Sequence, residues 1–237
     1  QNKPMLGLAS DGVATAAAVF RFPQPGFVTI ELVGDGIDAG LGTLSGIDGL
    51  PGTGLPGRTQ TLAVSTEQVG DDHVAVALLQ APPAFERPGV PTDAVLPRRQ
   101  VTLRAWQSPS EVASLPVQIA RPPLLLVHGI WSSRSTWDPL DIYANAGHWV
   151  AALDYSTTHA DSFNVNDGIV SSQIWQYIGV FQQQTGLCAA QAMVVGHSMG
   201  AVLTRRVIGG QAIEVPYRHP LNRGQGTIDR FVTIAAP

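Results

Sequence analysis

Gly196-His197-Ser198-Met199-Gly200 is the stretch of this sequence that decides the fold. It lies between an apolar run, residues 192–195, and a helix-like run, residues 201–208. This order predicts a strand, a tight turn that carries Ser198, and then a helix. Glycines on both sides of the turn let strand and helix pass closely, because a Cβ atom at either position would clash. Such a turn holds the serine hydroxyl clear of its surroundings, as a nucleophilic serine requires.

A second motif, Leu124-Leu125-Leu126-Val127-His128-Gly129-Ile130-Trp131, stands about 70 residues before the first. Its four apolar residues are bounded by Pro122-Pro123 and by Gly129, and they predict a strand buried on both faces. A His-Gly turn and the polar residues 132–135 follow at once. The second motif therefore predicts a buried strand that ends in a polar loop.

With these two motifs the chain resembles the α/β-hydrolase fold from about residue 121 onward, and in detail its lipase and esterase branch. That branch has HG-x-x-x-S in the loop after an early strand and GHSMG at the nucleophile. The closing stretch, residues 228–237, is similar to its strand with a terminal T/A-P turn. The resemblance implies Ser198 as nucleophile, with oxyanion-hole N–H groups from Met199 and from Ile130, or from Trp131 as the alternative donor.

The remaining motif residues are expected to support this site. Gly129, Gly196 and Gly200 would permit close approach of the backbone. His128 would brace the oxyanion loop through its ring nitrogens. His197 adjoins the nucleophile but points away from it on a tight turn, so we expect it to pack or to donate a hydrogen bond rather than to act as the base.

The triad of this fold follows the order Ser, acid, His. After the nucleophile, the sequence offers only the carboxylates of Glu214 and Asp229 and the imidazole of His219. In the family, both partners come later in the chain. The resemblance therefore implies that acid and histidine come from sequence beyond residue 237, whether in a longer polypeptide or in a C-terminal fragment of the same gene product. An inactive hydrolase relic is the alternative.

The sequence predicts an α/β class with two domains, a β-sandwich over residues 1–120 and the N-terminal part of an α/β-hydrolase domain over residues 121–237. Short apolar or alternating runs separated by turn residues favour an immunoglobulin-like sandwich. The runs are Phe27 to Val33, Thr61 to Ser65, His73 to Leu79, Val101 to Trp106 and Val117 to Ala120. Ala14 to Phe20 has the composition of a helix, Gly34 to Gly57 that of a long loop, and Pro82 to Pro97 that of a surface connection.

In the second half, predicted strands and helices alternate, as in a parallel sheet with crossover helices. Thr136 to Ala146 predicts a helix and Trp149 to Leu153 a strand. A longer helix is predicted from Asn166 to Gly186, with an apolar stripe facing the core. Asp154 ends its strand on the expected catalytic edge, but it precedes the nucleophile, so we expect it to cap a turn.

Composition excludes several functions. A net charge of −4 lacks the basic face that nucleic-acid binding needs, and no apolar run reaches the ~18 residues of a membrane span. Asp35, Asp38 and Asp48 lack the spacing of a calcium loop, so no metal or cofactor is predicted. The single cysteine, Cys188, is either a small buried residue or the partner of a cysteine outside this sequence.

These observations favour a serine carboxylesterase or lipase acting on an ester substrate, lipid included. The alternatives are an acyltransferase that uses the same turn and a non-catalytic binding or adhesion protein on a hydrolase-like scaffold. Thirteen arginines against one lysine suggest a GC-rich bacterial genome, and the start at Gln1 fits a processed chain. A secreted or periplasmic location is expected.

Overall fold

The computed structural model describes residues 4–34, 40–47, 60–141, 147–211 and 216–236. The described strands, in chain order, are β1 Gly7–Ala9, β2 Thr15–Phe22, β3 Phe27–Val33, β4 Thr43–Ser45, β5 Thr61–Ser65, β6 Glu67–Val69, β7 Asp72–Gln80, β8 Arg98–Gln107, β9 Ser110–Ala120, β10 Leu124–Val127, β11 Val150–Leu153, β12 Leu187–Cys188, β13 Ala192–His197 and β14 Ile228–Ile234. The described α-helices are α1 Phe163–Thr185 and α2 Met199–Ile208. Short 3-10 helices span Pro91–Ala94, Arg134–Asp141 and Pro220–Asn222.

The first nine strands, together with β12, form two sheets that share one apolar core. One sheet has the order β12-β1-β9-β8-β3-β5, and the other has the order β2-β7-β4 with β6 also paired to β7. Alternate residues of β3 and β8 point inward, among them Ile30 and Leu103, and they meet Phe20 and Leu79 from the other sheet. The five predicted strand runs are confirmed, whereas the immunoglobulin-like topology stays a prediction.

The predicted helix over Ala14 to Phe20 is wrong, because these residues belong to strand β2. The strand pairs antiparallel with β7, from Thr15 opposite Gln80 to Phe22 opposite His73. Ala18 and Phe20 are buried in the shared core. The long-range partner strand therefore overrides the helix propensity of the alanines.

The segment from Pro82 to Pro97 runs mostly along the surface, as its prolines predict, but Phe85, Arg87 and Asp93 turn inward and are buried. The Arg87 side chain donates to both carboxylate oxygens of Asp93, with Nε to Oδ2 at 2.8 Å, and both residues are buried. The guanidinium of Arg121 lies 4.2 Å from the ring centre of Phe85. Arg87 holds the pKa of Asp93 below its ordinary value through these hydrogen bonds. Charge pairing thus anchors an otherwise exposed segment to the structure through two buried side chains.

The second half contains the predicted parallel sheet, in the order β11-β10-β13-β14. β10 pairs with both β11 and β13, so its four residues are covered on both edges and both faces. Leu125 and Val127 face a core with α1 and α2, while Leu124 and Leu126 pack against Trp137 on the other face. The predicted doubly buried strand is confirmed.

Helix α1 begins after Ser162, which caps it, and ends at Gly186 with a φ of +70°. Its apolar stripe, including Val170, Ile174 and Phe181, is buried as predicted. The predicted helix over 136–146 is only partly correct. A 3-10 helix with an internal proline spans Arg134–Asp141, and residues 142–146 lie outside the described part of the chain.

A strand pairing and a buried carboxylate are among the contacts that join the two halves of the chain. Leu187–Cys188, from the second half, pairs in parallel with β1 and extends the first sheet. The buried carboxylate of Asp11 accepts N–H bonds from Val13 and Ala14, and also from Ala190 and Gln191 just before β13. The proposed boundary at residue 120 stays a prediction, with hydrogen bonds crossing it.

Candidate active site

Ser198 occupies a strained turn between strand β13 and helix α2, as the sequence predicts. Its backbone has a φ of 51° and a ψ of −123°, a conformation that residues with a side chain rarely adopt. The Ser198 N–H donates to the carbonyl of Ile234 at the end of β14 (2.9 Å), and its carbonyl accepts the N–H of Ala201 (3.0 Å). The turn is thus held by hydrogen bonds on both sides.

Gly196 and Gly200 lie where other backbone atoms leave no room for a side chain, and Gly129 lies against the side chains of the serine turn. A Cβ atom on Gly196 would lie 2.7 Å from Cα of Ala201, and one on Gly200 would overlap the carbonyl oxygens that end β10. A Cβ atom on Gly129 would lie 3.1 Å from Cβ of Ser198. The loop after β10 and the serine turn are therefore in direct contact.

His128, the last residue before Gly129, is completely buried and bound on both sides of its ring. Nδ1 donates to the Gly129 carbonyl (2.8 Å), and Nε2 accepts the N–H of Tyr155 (3.2 Å). The Tyr155 ring stacks on the imidazole at 4.2 Å, and its hydroxyl donates to the His128 carbonyl (2.5 Å). These bonds assign the proton to Nδ1. Burial raises the pKa of Tyr155, so its hydroxyl remains a donor.

Asp154 lies beside this pair, and its carboxylate caps a turn. Oδ1 accepts the N–H of Ser156 at 2.9 Å and lies 3.4 Å from Nε2 of His128. Partial burial raises the pKa of Asp154, but the N–H and hydroxyl of Ser156 act against it, and the pKa lies below the ordinary value. The predicted turn-capping contact is present.

The three candidate oxyanion donors lie in the loop after β10 and at the start of α2. Ile130 and Trp131 follow Gly129, and Met199 is the first residue of α2, where backbone N–H groups have no partner within the helix. Trp131 has a φ of 57°, and its side chain is 76% exposed. The positions fit an oxyanion hole, and the roles of these three residues stay predictions.

The sequence of this region matches one known family. Residues 124–236, from strand β10 to the end of β14, match the family model of the alpha/beta hydrolases. This part of the chain belongs to the α/β-hydrolase superfamily. Among curated proteins, none matches the chain.

His197 of this hydrolase region lies on the face of the sheet that packs against Trp137. The two rings meet edge to face at 6.4 Å, and Nδ1 of His197 is buried without a hydrogen-bond partner. His197 therefore lies on one face of the sheet, and helix α2, which follows Ser198, packs on the other face. This environment fits packing, which is the role the sequence predicts.

Of the candidates for acid and base that follow Ser198, Asp229 lies away from it. Asp229 lies near the amino end of β14, whereas Ser198 bonds to Ile234 at the carboxyl end of the same strand. The five-residue step from Asp229 to Ile234 spans about 16 Å. His219 packs edge to face on the ring of Trp175 in α1, with ring centres 5.6 Å apart. Glu214 lies outside the described residues.

Two residues near the hydrolase site were missed by sequence reasoning, Tyr155 and His159. Both lie in the segment after β11. The apolar run of β11 predicts that this segment follows a strand, but it does not indicate either side chain as part of the site. His159 meets the Trp131 indole edge to face, with ring centres 4.9 Å apart. Local sequence does not show which loops become neighbours.

Other predicted features lie away from the site. Cys188 is half-buried, and burial raises the pKa of its thiol. Asp35, Asp38 and Asp48 fall outside the described residues. In the described ranges, no group of three metal-ligating side chains is found, and no helix is both long and apolar enough to span a membrane.

Proposed function

We propose that this chain carries the nucleophile and the oxyanion hole of a serine hydrolase of carboxylic esters. The observation that carries the proposal is the contact between the Ser198 turn and the loop after β10, where a Cβ atom on Gly129 would lie 3.1 Å from Cβ of Ser198. This contact brings a candidate nucleophile and two sources of backbone N–H groups to one edge of the sheet. An ester carbonyl between them would meet both requirements of acyl transfer.

In this proposal Ser198 attacks the ester carbonyl and forms an acyl-enzyme. The N–H groups of Met199 and Ile130, or of Trp131, stabilise the oxyanion of the tetrahedral intermediate. A histidine takes the serine proton and returns it to the leaving alcohol, and water then releases the acid. We place that histidine and its carboxylate partner in sequence beyond residue 237, because in this fold both follow the nucleophile on later segments and Asp229 lies about 16 Å before Ile234 along β14.

The substrate class follows from the surroundings of the serine. Ile130 and Trp131 expose large apolar side chains on the loop that faces it. They favour an ester with an apolar acyl group, lipid esters included. We also propose a secreted or periplasmic location, where such substrates would be external.

The test is turnover of p-nitrophenyl butyrate by the natural polypeptide that contains this sequence, with Ser198→Ala as the variant. Loss of the nucleophile is expected to lower kcat by about a million-fold. It should also abolish labelling by a fluorophosphonate probe. Ser114→Ala, at an exposed position of strand β9, is the matched control and should label at the wild-type rate.

The same experiment separates the alternatives. Transfer of the butyryl group to an added alcohol in preference to water would replace the hydrolase by an acyltransferase. Absence of labelling in the wild-type polypeptide would contradict catalysis altogether and favour a binding protein. Rapid labelling of residues 1–237 alone would show that a base lies within them and contradict its placement elsewhere.

A further inference from the structure

The segment after β11 is tied to the loop after β10 at two places. At the base of the loops, Tyr155 bonds to both the ring and the carbonyl of His128. Four residues later, the His159 ring meets the Trp131 indole at 4.9 Å and 71°. The two loops follow neighbouring parallel strands, so both lie at the edge of the sheet that carries Ser198.

The turn that carries His159 is itself anchored. Thr158 donates through its hydroxyl to Oδ1 of the buried Asn166 (2.8 Å), and the side-chain amide of Asn166 donates to the Asp161 carbonyl (3.4 Å). Asn166 belongs to helix α1, which packs on the sheet. His159 is therefore presented by a fixed turn rather than by a free loop.

Trp131, in contrast, needs support. Its φ of 57° lies in the left-handed region, which is strained for a residue with a bulky side chain, and its indole is mostly exposed to solvent. An exposed strained residue would relax unless a neighbour held it. The edge of the His159 ring is such a neighbour, and edge-to-face contacts between aromatic rings are favourable.

We propose that His159 is a positioning residue of the hydrolase site. Its ring holds Trp131 in the left-handed conformation and thereby sets the direction of the N–H groups of Ile130 and Trp131 toward the oxyanion. The proposal rests on the proposed function of Ser198. It assigns His159 no proton transfer, because packing of the ring edge suffices.

The first test is kinetic and uses the natural polypeptide with p-nitrophenyl butyrate. His159→Ala is expected to lower kcat by about ten- to a hundredfold, because small displacements of transition-state donors are costly, with KM within about twofold of wild type. His159→Phe keeps a ring edge and should retain kcat within about threefold. His73→Ala, on strand β7, removes an imidazole elsewhere and should match wild type.

The second test does not depend on activity. The fluorescence of Trp131 is the difference between a protein with Trp131 and the same protein with Trp131→Phe. Acrylamide should quench this fluorescence more strongly in His159→Ala than in wild type, but not in His159→Phe. Unchanged melting temperatures would exclude general unfolding as the cause. Unchanged accessibility in His159→Ala would overturn the proposal.

The kinetic outcomes separate the two proposals. If Ser198→Ala retains turnover, the proposed function fails, and the role of His159 fails with it. If wild type is active and His159→Ala has the same kcat, only the role of His159 fails. If His159→Phe is as inactive as His159→Ala, the imidazole acts through its nitrogen atoms and the positioning role is overturned.

Discussion

Ser198 shows how neighbouring residues maintain an unfavourable backbone conformation. A positive φ costs a residue with a side chain about 1–3 kcal/mol. The cost is offset by the bond from its N–H to Ile234 and by the close packing of Gly196 and Gly200 against their neighbours. The turn therefore depends on glycine at these two positions, where neighbouring atoms leave no room for a Cβ atom.

Gly200→Ala tests this dependence. The new Cβ atom would overlap the backbone carbonyls of Val127 and His128, so the variant should lose about 3 kcal/mol or more of unfolding free energy in urea denaturation. Gly179→Ala, within α1, is the matched control, since its Cβ atom meets nothing within 4 Å. The control should gain about 0.5–1 kcal/mol from helix propensity. Equal stabilities for the two variants would contradict the close packing.

At the scale of elements, Asp11 connects the turn between β1 and β2 to the segment that leads into the nucleophile strand. Oδ1 accepts the N–H groups of Val13 and Ala14, and Oδ2 accepts those of Ala190 (2.7 Å) and Gln191 (3.0 Å). Burial raises the pKa of Asp11, and the four N–H donors act against that rise. One buried carboxylate thus aligns two elements that are about 180 residues apart.

Asp11→Asn is expected to destabilise the protein by about 3 kcal/mol. The amide retains one acceptor oxygen and turns its NH₂ group toward two N–H donors, which then lose their partner in the interior. Asp72→Asn is the control, because its bond to Arg21 joins two exposed side chains and should contribute less than about 1 kcal/mol. Chemical denaturation of both variants measures the difference in unfolding free energy. A loss no larger for Asp11→Asn than for Asp72→Asn would contradict the role of Asp11 in connecting the two elements.

At the scale of the whole molecule, the two halves of the chain meet at the edge of the parallel sheet opposite to Ser198. Arg223, before β14, donates to the side chains of Gln80 and Thr15 in the first half. Asp229 and Asp11 both line a polar cavity of about 490 Å³ between the halves. Burial raises the pKa of Asp229 to about 6, while Arg230 lowers it and Asp11 raises it further.

The raised pKa of Asp229 makes stability depend on pH. A carboxyl group whose pKa rises from 3.8 to about 6 on folding favours the folded state below pH 3.8, and that contribution is lost as the pH rises through about 6. Asp229→Asn should therefore be more stable than wild type at pH 7.5, by about 1 kcal/mol after allowance for solvent. The gain should vanish near pH 4. Urea unfolding at both pH values measures it, and a difference independent of pH would contradict the raised pKa.

Sequence alone was sufficient where the determinants are close together in the chain. The turn at Ser198, the doubly buried strand β10 and the core stripe of α1 each follow from a few adjacent residues. Glycines, caps and apolar periods act over one or two turns of chain, so they can be recognised without a partner. The resemblance to the α/β hydrolases rests on the same local motifs, and the family comparison supports it.

Only the tertiary structure decided the features that depend on distant partners. The alanines of β2 become a strand because β7 pairs with them, and Arg87 and Asp93 are buried because they pair with each other. The contact between His159 and Trp131 likewise joins two loops that meet only when β10 and β11 lie side by side. In each case the deciding free energy comes from a partner that no local pattern reveals, and burial of that partner outweighs local propensity.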